Sequence, residues 1–148
     1  MELILQYKKF LEICRHDVNT LFYFWSSESF RLYKISGVGY ASTWCQEALD
    51  FAYRATKINF MGVEYFYPDP TDEGMDDMFK QMSHNSPNGM DGGVIWTTYQ
   101  FDLMEKGRNF IDAWLTSGDD TLFGQKLIDI FNAHNVGFDK HAFYPIKY

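Results

Sequence analysis

The chain has 148 residues, a length that suits one domain with a core able to fold without disulfides or a metal. Hydrophobic residues make up 46% and charged residues 22%, which argues against extended disorder, and two cysteines are too few for a disulfide framework. Thirteen basic against twenty acidic residues leave a net charge of −7, a sign that phosphate backbones and anionic membranes repel.

Residues 2–17 place Leu3, Tyr7, Phe10 and Cys14 at spacings of three and four, with Lys8, Lys9, Glu12, Arg15 and His16 on the other side, and predict an amphipathic helix. Its opening apolar run is short and is cut by Lys8 and Lys9, which makes a poor secretion signal. A reducing, cytoplasmic setting is expected, with Cys14 and Cys45 as small buried hydrophobes whose pairing the sequence does not decide. No stretch approaches the ~20 apolar residues of a spanning helix. Thr20–Trp25 is dense in strand formers, Ser26–Ser29 interrupts it and Phe30–Ile35 alternates, which predicts a hairpin. The competing pattern continues the first helix to Trp25.

Ser36–Gly39 is a turn. Ser42 or Thr43 caps a helix running to about Lys57, with Gln46 placed to complete a capping box with Thr43. Residues 58–67 read as a strand ended by Pro68 and Pro70. Thr71 caps a short helix to about Met82, its first turn carrying Asp72 and Glu73. Residues 83–93, rich in Ser, Asn, Gly and Pro, predict a flexible loop. One helix is expected from about Thr98 to Leu115 and another from Asp120 or Thr121 to near His134, closed by Asn135 and Gly137. Phe143, Tyr144 and Ile146 in the segment 138–148 predict that it docks on the core.

The expected fold is a helix-dominated α+β single domain of about five helices with a small hairpin or sheet. An all-α bundle is the alternative if 18–35 and 58–67 are helical.

No Walker loop, Gly-x-Ser-x-Gly elbow, His-Glu-x-x-His or Cys-x-x-Cys occurs, so neither a cofactor nor a metal is expected. Aligning Gly74 with the glycine of a calcium loop puts Asp69, Thr71 and Glu73 in ligand positions, but Lys80 then falls where a bidentate carboxylate must sit. His84 and Asp91 in the 83–93 loop are the weak catalytic candidates, and Cys45 in a first helical turn is a rationale for a thiol nucleophile without being a signature. Asp102, Glu105 and Asp112 read as an acidic stripe along one helix. Fourteen Phe, ten Tyr and four Trp exceed what a core of this size needs, which points to exposed rings, foremost Tyr65, Tyr67, Tyr144 and Tyr148.

Charge, rings and missing catalytic motifs together favour a small acidic binding protein of the inhibitor or immunity type. Its partner would be another protein with a basic surface, met by Asp69, Asp72, Glu73, Asp76, Asp77, Asp102, Glu105, Asp112, Tyr65 and Tyr67. Direct nucleic-acid and membrane binding are not expected. The alternatives are a small hydrolase-like enzyme centred on the 83–93 loop and a structural or assembly subunit.

Overall fold

The computed structural model describes residues 2–15, 42–64, 72–115 and 118–148. Six helices run in the order α1 (Glu2–Cys14), α2 (Ser42–Lys57), α3 (Asp72–His84), α4 (Met90–Thr98), α5 (Glu105–Leu115) and α6 (Asp120–Ala133), and hold 68% of the described residues. Strands β1 (Met61–Val63) and β2 (Phe101–Leu103) form a two-stranded antiparallel sheet. The protein is therefore a helix-dominated α+β domain rather than an all-helical bundle. The hairpin expected over Thr20–Ile35 lies outside the described residues, as do Tyr65, Tyr67 and Asp69. No helix among the described residues is long and apolar enough to cross a membrane.

Helix α2 is the centre of the core. Trp44, Cys45, Ala48, Leu49, Phe51, Ala52 and Ala55 are all buried, so the helix is apolar on most of its circumference and needs neighbours on several sides. Helix α1 covers one of them: Tyr7 meets Phe51 edge to face at 4.9 Å and Phe10 meets the same ring at 5.4 Å. Ion pairs then tie α1 and the residue that follows it outward, Lys8 to Asp120 on α6 at 2.7 Å and Arg15 to Asp112 on α5 at 2.8 Å. Among the described residues most aromatic rings lie inside. Nine of the largest fully buried side chains are rings, among them Trp44, Trp96, Phe60 and Phe101, and Tyr7 is 1% exposed. T-shaped and stacked pairs let these rings fill one core; of the four tyrosines expected to be exposed, Tyr148 is exposed, Tyr144 is half-buried, and Tyr65 and Tyr67 lie outside the described residues.

Helices α2 and α6 end by the same device. Asn59 and Asn135 take φ of 60° and 59°, and the next residue donates back five positions, Phe60 N to the Ala55 carbonyl and Val136 N to the Phe131 carbonyl. Asparagine tolerates the left-handed conformation that this closure demands, and buried Phe60 and Val136 seal it. At the other end of α6, Asp119 caps the helix by accepting from Leu122 N at 2.9 Å.

Three expectations need correction. The strand predicted over 58–67 is shorter among the described residues: 58–60 form the closure of α2, β1 occupies Met61–Val63, and 65–67 lie outside the described residues. The single helix predicted from Thr98 to Leu115 is instead the end of α4, β2, and α5. Phe101 and Leu103 point into the core with Asp102 between them, paired as Val63↔Phe101 and Met61↔Leu103. Helix propensities differ by less than about 0.7 kcal/mol per ordinary residue, whereas fully burying each of these two side chains contributes about 1.5–3 kcal/mol. Burial therefore decides the conformation. The loop predicted over 83–93 shrinks to 85–89, because α3 continues through His84 and α4 begins at Met90. Buried Trp96 draws α4 onto α3, donating to the Asn85 carbonyl at 2.9 Å and the Met82 carbonyl at 3.3 Å. Gly92, a loop signal in the sequence, is what permits the approach, since a Cβ there would run into the Ser86 carbonyl.

Candidate functional site

Three polar residues of α2 at successive four-residue steps, Gln46, Asp50 and Arg54, form one stripe along the helix. The C-terminal segment runs antiparallel to that stripe and is held by it through its backbone. Arg54 Nε donates to the Val136 carbonyl at 2.9 Å, and Nη2 donates to the carbonyls of Lys140 and, at 3.4 Å, Gly137. Asp50 accepts from Ala142 N at 2.9 Å and Phe143 N at 3.2 Å. Gln46 accepts from Ile146 N at 3.0 Å and donates to the Tyr144 carbonyl at 3.2 Å. The capping box expected of Gln46 therefore gives way to these bonds with the segment. Asp50 and Arg54 are each 1% exposed, so unpaired they would be costly, and here the segment's amides and carbonyls satisfy them. The Arg54 guanidinium also lies over the Phe138 and Phe143 rings, at 4.7 and 5.2 Å from their centroids.

Burial pushes the Asp50 carboxyl above its ordinary range, against the Ala142 amide and the Arg54 charge. Burial likewise raises the neighbouring Glu47, with Asp50 adding to the shift. Ala142 takes a φ of 54°, a left-handed conformation that costs an L-residue roughly 1–2 kcal/mol, and its bond to Asp50 helps to hold it there.

Held this way, the segment builds a shallow groove with the last turns of α3, of about 420 Å³. Its apolar side is Tyr53, Phe143 and Tyr144. Tyr53 stacks on Phe143 at 4.6 Å and Tyr144 stacks on Phe79 at 5.2 Å, which fixes the ring positions. Its polar rim is Asp76, Lys80, His84 and Lys147. Asp76 accepts from the Tyr144 hydroxyl at 2.7 Å and pairs with Lys80 at 2.8 Å, so its carboxyl is held below the usual range, Lys80 being the larger cause. His84 Nδ1 bonds the Lys80 carbonyl at 2.6 Å. Lys147 is set beside α3 by its own amide, which donates to the Ser83 carbonyl at 2.9 Å.

The sequence-derived candidates fare unevenly. His84 sits at the last residue of α3 and lines the groove, whereas Asp91 lies exposed in the first turn of α4 and does not line it. The two are thus not brought together there. Asp72 opens α3, and Glu73, Asp76 and Asp77 follow on it, in a helix rather than a calcium loop, with Lys80 paired to Asp76. Glu73 and Asp77 are exposed and one turn apart, and neither is in an ion pair among the described residues, although Lys80, paired with Asp76, also feels the Asp77 charge. The stripe of Asp102, Glu105 and Asp112 is not on one helix: Asp102 belongs to β2, Glu105 begins α5, and Asp112 is paired with Arg15. Cys14 and Cys45 are both buried thiols. Burial pushes the Cys45 thiol up to about 12, opposite to what a nucleophile requires. Among the described residues no group of three or more His, Cys, Asp and Glu side chains is placed to hold a metal ion.

Lys147 and Tyr53, together with the stripe that positions Phe143, were not singled out from sequence, and Lys80 and Phe143 were marked only for other roles. The available signal was Asp50 and Arg54, two charges set four apart among apolar neighbours on α2. No family model matches the chain, and no curated protein or solved structure matches it either.

Proposed function

We propose that the chain is a small acidic binding protein of the inhibitor or immunity type, acting in the cytoplasm, that covers a basic site on another protein. The observation that carries this reading is the pair Glu73 and Asp77, exposed carboxylates one turn apart on α3 that form no ion pair among the described residues, in a chain of net charge −7. Asp69 and Asp72 extend the same acidic run in sequence, with Tyr65 and Tyr67 just before it. Asp76 and Asp112 contribute less, because each is already in an ion pair. Two further observations support binding by the surface: the buried charges of α2 are engaged with the C-terminal segment, and the buried Cys45 thiol is a poor nucleophile. Carboxylates on a rim steer a basic partner and set its orientation, an effect that salt weakens.

The test is capture from extracts of the source cells with the full chain and with a Glu73→Gln, Asp77→Asn double variant, at salt from about 0.05 to about 0.5 M. A basic partner that is shed as salt rises, and held less well by the variant, is expected. A partner held equally by both proteins, or none at any salt, contradicts the proposal.

A further inference from the structure

We propose that the groove between α3 and the C-terminal segment binds a small molecule with a flat apolar body and one anionic head, of the aromatic carboxylate class. Three features of the site carry the inference, and none involves the acidic face of α3 at Glu73 and Asp77. The first is size and lining. At about 420 Å³ the groove falls within the roughly 300–1,000 Å³ of small-molecule sites, and its apolar side is ring surface from Tyr53, Phe143 and Tyr144. A flat ring system finds stacking partners there already fixed by contacts of their own.

The second is charge. The groove's one carboxylate, Asp76, is occupied by Lys80 and the Tyr144 hydroxyl. Lys147 has no anionic partner among the described residues, and His84, with Nδ1 on the Lys80 carbonyl, keeps Nε2 unbonded among them. In a chain of net charge −7 this rim is locally basic, and it faces an apolar floor. A neutral ligand would leave Lys147 unanswered and a cationic one would be repelled.

The third is preorganisation. Lys147 N bonded to the Ser83 carbonyl, and Phe143 N bonded to buried Asp50, place both walls before any ligand arrives, so little ordering is needed on binding.

The experiment titrates the full-length, ¹⁵N-labelled chain with 2-naphthoate and, separately, with 2-naphthamide, which shares the ring but lacks the charge. Saturable shifts at Ser83, His84, Phe143, Tyr144 and Lys147 are expected, with the carboxylate bound about tenfold more tightly than the amide. Lys147→Met removes most of that preference, weakening the carboxylate far more than the amide. Should that variant not fold, raising the salt for the wild-type chain decides instead: the carboxylate's affinity falls and the amide's does not. Equal affinity for both heads, shifts confined to other residues, or no saturable shift overturns the proposal.

Discussion

Arg54 on α2 donates from Nη1 to the hydroxyl of Tyr7 on α1 at 2.8 Å, and both side chains are 1% exposed. The same guanidinium bonds the C-terminal segment, so one buried cation joins three parts of the fold. Tyr7 is in turn ringed by Phe51, Phe131 and Phe138, all within 6 Å and edge to face. We predict that Arg54→Met costs about 3 kcal/mol or more, because it strands carbonyls and the buried Asp50 together. Arg54→Lys recovers little, since an ammonium cannot reproduce the guanidinium fork. Tyr7→Phe, which removes one bond, costs about 1 kcal/mol. Urea unfolding of the three variants checks the order, and an Arg54→Met protein as stable as Tyr7→Phe would contradict it.

The pH dependence of stability follows from Glu47. Its carboxyl is raised by burial and then by Asp50, with Arg54 and His141 opposing. A carboxyl whose folded value is raised binds its proton more tightly in the fold than in the unfolded chain. Its effect favours the fold at low pH, and stability falls as pH climbs from roughly 4 through the raised value. Glu47→Gln removes that charge. The variant is therefore expected to be more stable than the wild-type chain at pH 7 and equal to it below about pH 4. Urea midpoints at the two pH values measure this, and a difference that does not change with pH would count against the buried-carboxylate account.

The thiol of Cys45 is buried, raised to about 12, and in hydrogen-bond contact with the Tyr148 hydroxyl, which also donates to the Met82 carbonyl at 3.3 Å. Both cysteines should resist a thiol-specific reagent at pH 8 in the native protein and react at once in denaturant. Tyr148→Ala, which removes the ring beside Cys45 as well as the hydroxyl, should speed labelling of Cys45 and leave Cys14 protected, as judged by mass spectrometry of peptides. Rapid native labelling of Cys45 would show that the segment does not cover it.

Two neighbouring glycines in α4 are predicted to respond in opposite directions. Gly92→Ala drives a methyl into the Ser86 carbonyl and should destabilise by about 1–3 kcal/mol. At Gly93 the nearest atom to an added Cβ is the Pro87 carbonyl oxygen at 3.6 Å, an ordinary contact. Gly93→Ala should therefore stabilise by roughly 0.5–1 kcal/mol through helix propensity alone. Thermal melts of both variants check this pair. If 90–93 were the loop that its composition suggests, the two would behave alike.

Helices α1, α2 and α6 are legible in the sequence because long periodic faces and capping residues such as Asn135 act locally. Strand β2 is not. Tyr99, Leu103, Phe110 and Trp114 also fit a helical face, and three residues of alternation carry no signal until β1, some forty residues earlier, supplies a partner. The groove is hidden for the same reason. Tyr144 and Asp76 meet across 68 residues of chain, and Gln46 reaches Ile146 across 100. Sequence pattern marks Asp50 and Arg54 as charges in an apolar helix, and only the folded path of the C-terminal segment shows what they hold.

That path is most directly tested by native-state hydrogen exchange at four amides: Ala142, Phe143, Ile146 and Lys147, which donate to Asp50, Asp50, Gln46 and the Ser83 carbonyl respectively. If the segment is an integral wall of the groove, all four are protected well above the rates of an unstructured peptide, and Asp50→Ala lowers protection at Ala142 and Phe143 most. Exchange of all four at peptide rates in the wild-type protein would mean that the segment is not held by α2, and the groove would lose one of its sides.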